Sequence, residues 1–255
     1  MRHLLAAAAV LAACSSTNNT LQVSDDASTD ASTADASTAD ASTADTSAAD
    51  GSSADAPRTD GGNTGTYTMV PYVSEMPERS FVEADQVLDM TRDYRAVMET
   101  DAGRIVLDLY EDRTPITVNS FVFLALHHFF EGIAFHRVLE NFVAQGGDPN
   151  TLMDTRTRWG TGGPGYTFDT ETVDGLGFDG AGVLGMARAA ARNTNGSQFF
   201  ITLAATPSLN GMYTVFGRVT EGLDVLPRIA RNQNSTTPPV TPTRITRVVI
   251  ESRPR

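Results

Sequence analysis

The chain has 255 residues and a formal net charge of −12. Residues 1–60 hold nine acids and two arginines, whereas residues 61–255 hold 22 acids and 17 arginines, so the acidity is concentrated at the N-terminus. Neither part has the clustered basic face of a nucleic-acid-binding protein, and we expect no nucleic-acid partner. Cys14 is the single cysteine, which excludes an intramolecular disulfide and leaves the fold to depend on packing.

The N-terminus has the features of an export signal. A short basic start precedes an uncharged apolar run over residues 4–13, which predicts a signal peptide at residues 1–13 and is too short to span a bilayer. Residues 11–14, Leu-Ala-Ala-Cys, resemble the lipobox of bacterial lipoproteins. That resemblance implies a lipid on Cys14 and anchoring to a membrane of the bacterial cell envelope, with Ser15 favouring the outer membrane. The alternative is an ordinary signal peptide with a coincidental cysteine.

Residues 14–66 are of low complexity. Aspartate recurs every five residues from Asp25 to Asp60, separated by alanine, serine and threonine. This period fits neither a helix stripe nor a strand face, and large apolar residues are scarce, so we predict a disordered tether. Single carboxylates along such a chain do not form a calcium cage. Residues 67–93 are predicted to be an irregular lead-in segment with one short helix near residues 83–90.

Regular patterns begin at residue 94. A hairpin is predicted around Asp101-Ala102-Gly103, and a helix is predicted from Thr114, as N-cap, to about His128. Four later strands are predicted at residues 182–187, 198–202, 214–219 and 244–251. A short second helix is predicted at residues 223–230, and Pro227 should shorten or kink it. Short strands with two helices favour a closed antiparallel barrel with helices at its ends, although periodicity alone does not separate a barrel from a sandwich.

The most informative stretch is residues 135–148, Phe-His-Arg-Val-Leu-Glu-Asn-Phe-Val-Ala-Gln-Gly-Gly-Asp. Two short apolar runs flank a polar turn at residues 140–141, which predicts a hairpin. Arg137 lies inside the first run and must reach water or a partner, because a guanidinium keeps its charge. The ordered set of Phe135, Arg137, Phe142 and Gln145 before two glycines resembles the signature of the cyclophilins. Further blocks at residues 160–165, 186–187, 193–201 and 215–217 follow in family order, so the resemblance covers residues 94–252.

This resemblance implies a mainly β fold: a closed eight-stranded antiparallel barrel capped by two helices, with a substrate groove on its outer face. It also implies a peptidyl-prolyl cis-trans isomerase that assists protein folding in the cell envelope and acts as a monomer on proline-containing polypeptides. The implied catalytic residues are Arg137, Phe142 and Gln145. The implied substrate-binding residues are Val143, Ala187, Ala189, Gln198, Phe200, Leu209 and Tyr213. Arg188 stands where the family usually has asparagine.

The chemistry implied by the resemblance needs no metal or cofactor, because bond rotation transfers no proton. The paired His127-His128 are adjacent on a predicted helix and cannot face one metal ion together, and Ser197 has no evident base for a serine triad. Two other functions stay open from the sequence. The first is a non-catalytic module or holding chaperone that binds proline-containing segments in the same groove, and the second is a structural surface protein.

Overall fold

Backbone hydrogen bonds organise the described part of the chain into one antiparallel sheet and one α-helix. The structure is a computed structural model that describes residues 65–232 and 240–255. The predicted signal peptide, Cys14, the tether up to residue 64 and residues 233–239 of the proline-rich loop lie outside these residues. Nowhere in the described ranges is there a helix long and apolar enough to cross a membrane.

The sheet of the described residues has nine strands in the order β1-β9-β2-β3-β8-β6-β7-β5-β4, and every neighbouring pair is antiparallel. The strands are β1 (Thr68–Met69), β2 (Arg92–Thr100), β3 (Gly103–Leu109), β4 (Arg137–Val138), β5 (Val143–Gly146), β6 (Val183–Met186), β7 (Phe199–Thr202), β8 (Val215–Glu221) and β9 (Ile245–Pro254). The predicted hairpins and strands are confirmed. The sheet has one strand more than the expected eight, because β1 of the lead-in segment pairs with β9.

The α-helix α1 (Pro115–Leu126) packs into the main hydrophobic core. Ten of its twelve residues are buried, as expected for a helix that is apolar on all sides. Thr114 precedes it as predicted, but its hydroxyl makes no capping bond and donates to the Tyr110 carbonyl instead. The carboxylate of Glu171 accepts from the N–H groups of Ile116 and Thr117 at 3.2 and 2.7 Å, so a distant loop provides the cap.

Two helix predictions need correction. The second helix is a 3₁₀ helix, Leu223–Arg228, with Pro227 inside it; proline has no N–H for an α-helical bond, so the tighter turn is used. Residues 83–90 form no helix. The N–H groups of Val87 and Leu88 donate to the side-chain oxygen of Asn119 on α1, so a tertiary contact takes the place of helical bonds. Three further 3₁₀ helices lie at Pro149–Leu152, Arg156–Arg158 and Pro207–Leu209.

Candidate active site

Strand register places three of the predicted site residues and one glycine in a single row across the sheet. Arg137 on β4 pairs with Gln145 on β5, Gln145 pairs with Phe200 on β7, and Phe200 pairs with Gly185 on β6. Directly opposed residues in a sheet project on the same face. The guanidinium, the amide and the aromatic ring therefore lie side by side although 63 residues separate Arg137 from Phe200 in the sequence.

The turn between β4 and β5 places a second aromatic ring beside this row. Asn141 has φ 54°, a left-handed conformation that asparagine tolerates well, and the N–H of Phe142 donates to the carbonyl of Leu139 at 3.2 Å. The polar turn predicted at residues 140–141 is confirmed. As a result, the Arg137 guanidinium lies 5.6 Å from the centre of the Phe142 ring, within the range of a cation–π contact.

A glycine makes room for the Phe200 ring. A Cβ atom at Gly185 would lie 2.4 Å from the Phe200 ring and 2.7 Å from the Phe178 ring, closer than van der Waals contact permits. The ring of Phe200 also packs against those of Phe178 and Tyr213, with centroid distances of 5.3 and 5.8 Å. These contacts fix the orientation of Phe200 before any ligand arrives.

These elements enclose a small concavity of about 90 Å³. Its walls combine apolar side chains with the polar groups of two arginines, one amide and one tyrosine. The lining residues are Arg137, Phe142, Val143, Gln145, Ala187, Arg188, Phe200, Leu209 and Tyr213. Eight of the ten site residues predicted from the sequence are among them, and Arg188, which the sequence marks only as a departure from the family pattern, is the ninth.

A larger groove of about 670 Å³ adjoins the first, and it contains the other two predicted residues, Ala189 and Gln198. Gln145, Ala187 and Arg188 belong to the walls of both. The glycine-rich loop at residues 160–165 forms part of its wall, together with polar side chains such as Gln145, Ser197 and Gln198. We call the first concavity the small pocket and the second the large groove.

A chain of side-chain amides connects the two concavities. Gln145 Nε2 donates to Gln198 Oε1 at 3.0 Å, and Gln198 Nε2 donates to the Gly162 carbonyl at 2.8 Å. Asp148, which is fully buried, holds the loop from below by accepting from the N–H groups of Gly160 and Asn150. These bonds direct Gln145 Oε1 away from the amide chain, and no described residue donates to it.

The lead-in segment supports the same loop from the outside. The Phe81 N–H donates to the Pro164 carbonyl at 2.7 Å, and Gly165, with φ 102°, leaves room for the Phe81 carbonyl, which a Cβ atom would approach to 2.4 Å. The Phe81 ring packs edge-on against Phe123 and His127 of the α1 region at 4.9 and 5.0 Å. No sequence motif reveals this contact, because it joins an irregular segment to an irregular loop.

His136, next to Arg137 in the sequence, is a buried titratable group. Its side chain is 2% exposed, and its Nδ1 has no hydrogen-bond partner in the described ranges. Burial lowers the pKa of His136 below its usual value; Asp148 opposes this shift and the Arg137 charge adds to it. The imidazole is therefore neutral at physiological pH. Elsewhere in the described ranges, no group of three or more His, Cys, Asp or Glu side chains could hold a metal ion.

Comparison with known proteins yields one consistent family. The family model described as cyclophilin type peptidyl-prolyl cis-trans isomerase/CLD matches residues 95–250. The chain is 45% identical over 140 residues to peptidyl-prolyl cis-trans isomerase-like 1 of Rhizopus delemar, covering 55% of this chain and 82% of the relative. It is 44% identical over 153 residues to peptidyl-prolyl cis-trans isomerase ppi1 of Schizosaccharomyces pombe, covering 60% and 96%.

Solved structures agree with these sequence relatives. A crystal structure of a Cryptosporidium parvum cyclophilin type peptidyl-prolyl cis-trans isomerase superposes with a TM-score of 0.56 at 31% identity, covering 62% of this chain and 97% of that one. A second crystal structure of that enzyme, in the presence of the dipeptide Ala-Pro, gives 0.55 at 31% identity, covering 61% and 98%. The lead-in segment before residue 92 lies outside the range matched by the family model.

Proposed function

Because the chain belongs to the cyclophilin-type peptidyl-prolyl cis-trans isomerases, we propose that it rotates X–Pro bonds in the small pocket, with Arg137 as the catalytic residue. One observation carries the proposal: strand register brings Arg137, Gln145 and Phe200 together around a concavity of about 90 Å³ that has both apolar and polar groups in its wall. The apolar part of the wall suits a proline ring, and the Arg137 cation beside it suits a reaction in which charge shifts without proton transfer.

The physics of the reaction explains why an arginine is sufficient. An X–Pro bond rotates over a barrier of roughly 20 kcal/mol, because amide conjugation must be broken. In the twisted transition state the proline nitrogen regains a lone pair. An N–H of Arg137 directed at that nitrogen, or at the adjacent carbonyl, stabilises the twisted state more than either planar state. No carboxylate within the described ranges pairs with Arg137, so its charge is available to the substrate.

The other groups hold the peptide while the bond rotates. Phe142, Val143, Phe200 and Leu209 form the apolar wall against which a proline ring would be buried. Gln145 Oε1, directed outward by the amide chain, would accept a hydrogen bond from the substrate backbone. When the substrate backbone is held on one side of the proline, the other side is free to rotate. Because the amide chain of Gln145 and Gln198 is already formed, little entropy is lost when the substrate binds.

We also infer that eight strands close into a barrel, with β1 added outside it. Three backbone bonds support the closure: Gly132 N and Phe135 N donate to the carbonyls of Ile245 and Thr243, and Ile245 N donates to Ile133. They link the segment before β4 to the start of β9 at the far side of the sheet order. A closed barrel would keep the row of groove residues at fixed spacing.

A role in the bacterial cell envelope follows from the N-terminal pattern alone. We propose that Cys14 carries lipid, that the segment from Cys14 to residue 66 is a tether to the membrane, the outer membrane being favoured, and that residues 94–252 form the isomerase domain. Its clients would then be exported polypeptides that contain proline. Mass spectrometry of the mature N-terminus tests the anchor: a diacylated or triacylated Cys14 is expected, and cleavage elsewhere or an unmodified Cys14 contradicts it.

The isomerase proposal is tested with exchange NMR on a short peptide that has one Ala-Pro bond. The full chain should accelerate exchange, and Arg137→Ala should lose about a hundredfold in rate, the effect of removing one preorganised donor worth roughly 3 kcal/mol. Its free energy of unfolding should change by less than about 1 kcal/mol, because the guanidinium makes no ion pair in the described ranges. Arg247→Ala, on the exposed side of β9, removes the same charge elsewhere and serves as the control.

Two outcomes would change the proposal. If Arg137→Ala keeps full activity, the mechanism is wrong. If the unaltered chain binds the peptide but does not accelerate exchange, the groove serves as a non-catalytic module for proline-containing segments.

A further inference from the structure

The charged groups of the two concavities are all of one sign. Neither the small pocket nor the large groove has an aspartate or glutamate in its wall, and their charged residues are Arg137 and Arg188. This occurs in a chain with a net charge of −12. A concave surface with one sign of charge concentrates field lines and attracts the opposite charge.

Arg188 is held rigidly at the boundary between the two concavities. Its Nε and Nη2 donate to the Met212 carbonyl at 3.2 and 2.8 Å, and its Nη1 donates to the carbonyls of Ala189 and Ala190 at 2.9 and 2.8 Å. The guanidinium also lies 4.9 Å from the centre of the Tyr213 ring. The side chain is thus preorganised, so little rotamer entropy is lost when a ligand meets it.

Carbonyl oxygens satisfy these N–H groups but do not neutralise the positive charge. Several other arginines of the domain are paired with carboxylates; Arg218 lies 2.8 Å from Asp179, for example, and Arg231 contacts Glu140. Arg188 forms no ion pair in the described ranges, and neither does its neighbour Arg192, whose guanidinium donates to the Gly211 carbonyl and the Thr172 hydroxyl. The boundary between the pocket and the groove therefore has a fixed, uncompensated cation.

We propose that Arg188 makes this chain select proline segments that have an aspartate or glutamate close to the proline. The inference rests on the proposed isomerase site, because it assumes that the proline ring occupies the small pocket. The two concavities share the walls formed by Gln145, Ala187 and Arg188. Because Arg188 itself lines the small pocket, the peptide residue opposite Arg188 should be close in sequence to the proline.

The alternative is a purely structural role, in which Arg188 only links two loops to each other. Its bonds do join the segment after β6 to residue 212. A structural link would affect all peptides equally, whereas a recognition residue distinguishes them by charge. The discriminating quantity is therefore the ratio of rates for peptides that differ only in charge, with each protein variant serving as its own reference.

The test uses blocked peptides with one Ala-Pro bond, in which a single Glu, Gln or Lys is moved through the two positions on each side of that dipeptide. At one position we expect kcat/KM to fall in the order Glu, Gln, Lys, with a Glu/Gln ratio of about five for a partly exposed ion pair. Raising the ionic strength should reduce this ratio. Arg188→Gln should bring it to about one, and Arg188→Lys, which keeps the charge, should retain part of it.

Arg247→Gln removes one positive charge from the exposed side of β9, outside both concavities, and should leave the ratio unchanged. Equal rates for Glu, Gln and Lys at every position, or an unchanged ratio in Arg188→Gln, would overturn the inference. Failure of the isomerase proposal is a separate result, visible as no acceleration with the neutral peptide. In that case, peptide affinities measured by NMR titration with the same variants still decide whether Arg188 selects acidic segments.

Discussion

The contact between the lead-in segment and the groove loop gives the sharpest structural prediction. We expect Phe81→Ala to destabilise the domain although Phe81 lies outside the range matched by the family model. The ring packs against Phe123 and His127 but is only partly buried. Complete burial would make its removal cost roughly 3–5 kcal/mol, so we expect a loss of about 2 kcal/mol in the free energy of unfolding.

Val82→Ala is the matched control. Val82 follows Phe81 directly and is 92% exposed, so its truncation should change the free energy of unfolding by less than about 0.5 kcal/mol. Urea denaturation of the full chain measures both variants. If the two variants are equally stable, the lead-in segment does not pack as described and the reasoning fails.

The same contact predicts an effect on the groove. The Phe81 N–H holds the Pro164 carbonyl of the loop at residues 160–165, and that loop forms part of the wall of the large groove. Alanine keeps this backbone N–H, but without the ring the segment that presents it is no longer packed on Phe123 and His127. Phe81→Ala should therefore weaken binding of peptides long enough to occupy the large groove more than binding of a dipeptide. Isothermal titration with both ligands measures this difference. Equal losses of affinity for the two ligands would show that the contact between Phe81 and the loop at residues 160–165 does not affect the large groove.

Three further outcomes are expected. Phe142→Ala should raise KM and lower kcat/KM in the exchange assay, because it removes apolar wall from the small pocket. Gly185→Ala should lower peptide affinity, visible by NMR titration, because its Cβ would displace the Phe200 ring. The pKa of His136 is lower in the folded chain than its usual value, so the unfolded chain binds a proton at His136 more readily. The free energy of unfolding should therefore decrease as pH falls below about 6.5, by up to roughly 1.4 kcal/mol per pH unit. His136→Phe should flatten that slope in urea titrations.

Local chemistry explains which parts of the fold the sequence predicts correctly. The hairpin that holds Arg137 and Gln145 has its own polar turn between two short apolar runs, so its residues determine its structure. The failed helix at residues 83–90 has the opposite cause, since Asn119 is more than 30 positions away and supplies the competing hydrogen bonds. A window of neighbouring residues contains no information about such a partner.

The site shows the same division between local and distant causes. Its ten predicted residues line two adjoining concavities, as the family order of the motifs implies. The position of Arg188 depends instead on the carbonyl of Met212, a backbone atom that any residue at position 212 would provide. The sequence can mark this arginine as unusual, but only the folded chain shows what it contacts.

The attachment of the lead-in segment also determines how the domain responds to mechanical load. Tension applied at residue 65 meets the backbone bonds of the lead-in segment in chain order: the β1–β9 pair at Thr68, then Val70 to Ile250, Val73 to Leu126 and Glu78 to His127, and only then Phe81 to Pro164. Bonds arranged in this series break singly, beginning nearest the pulled end. A pull strong enough to detach residues 68–78 from the surface would thus leave the groove loop in place, since the earlier contacts break before the load reaches the bond from Phe81 to Pro164.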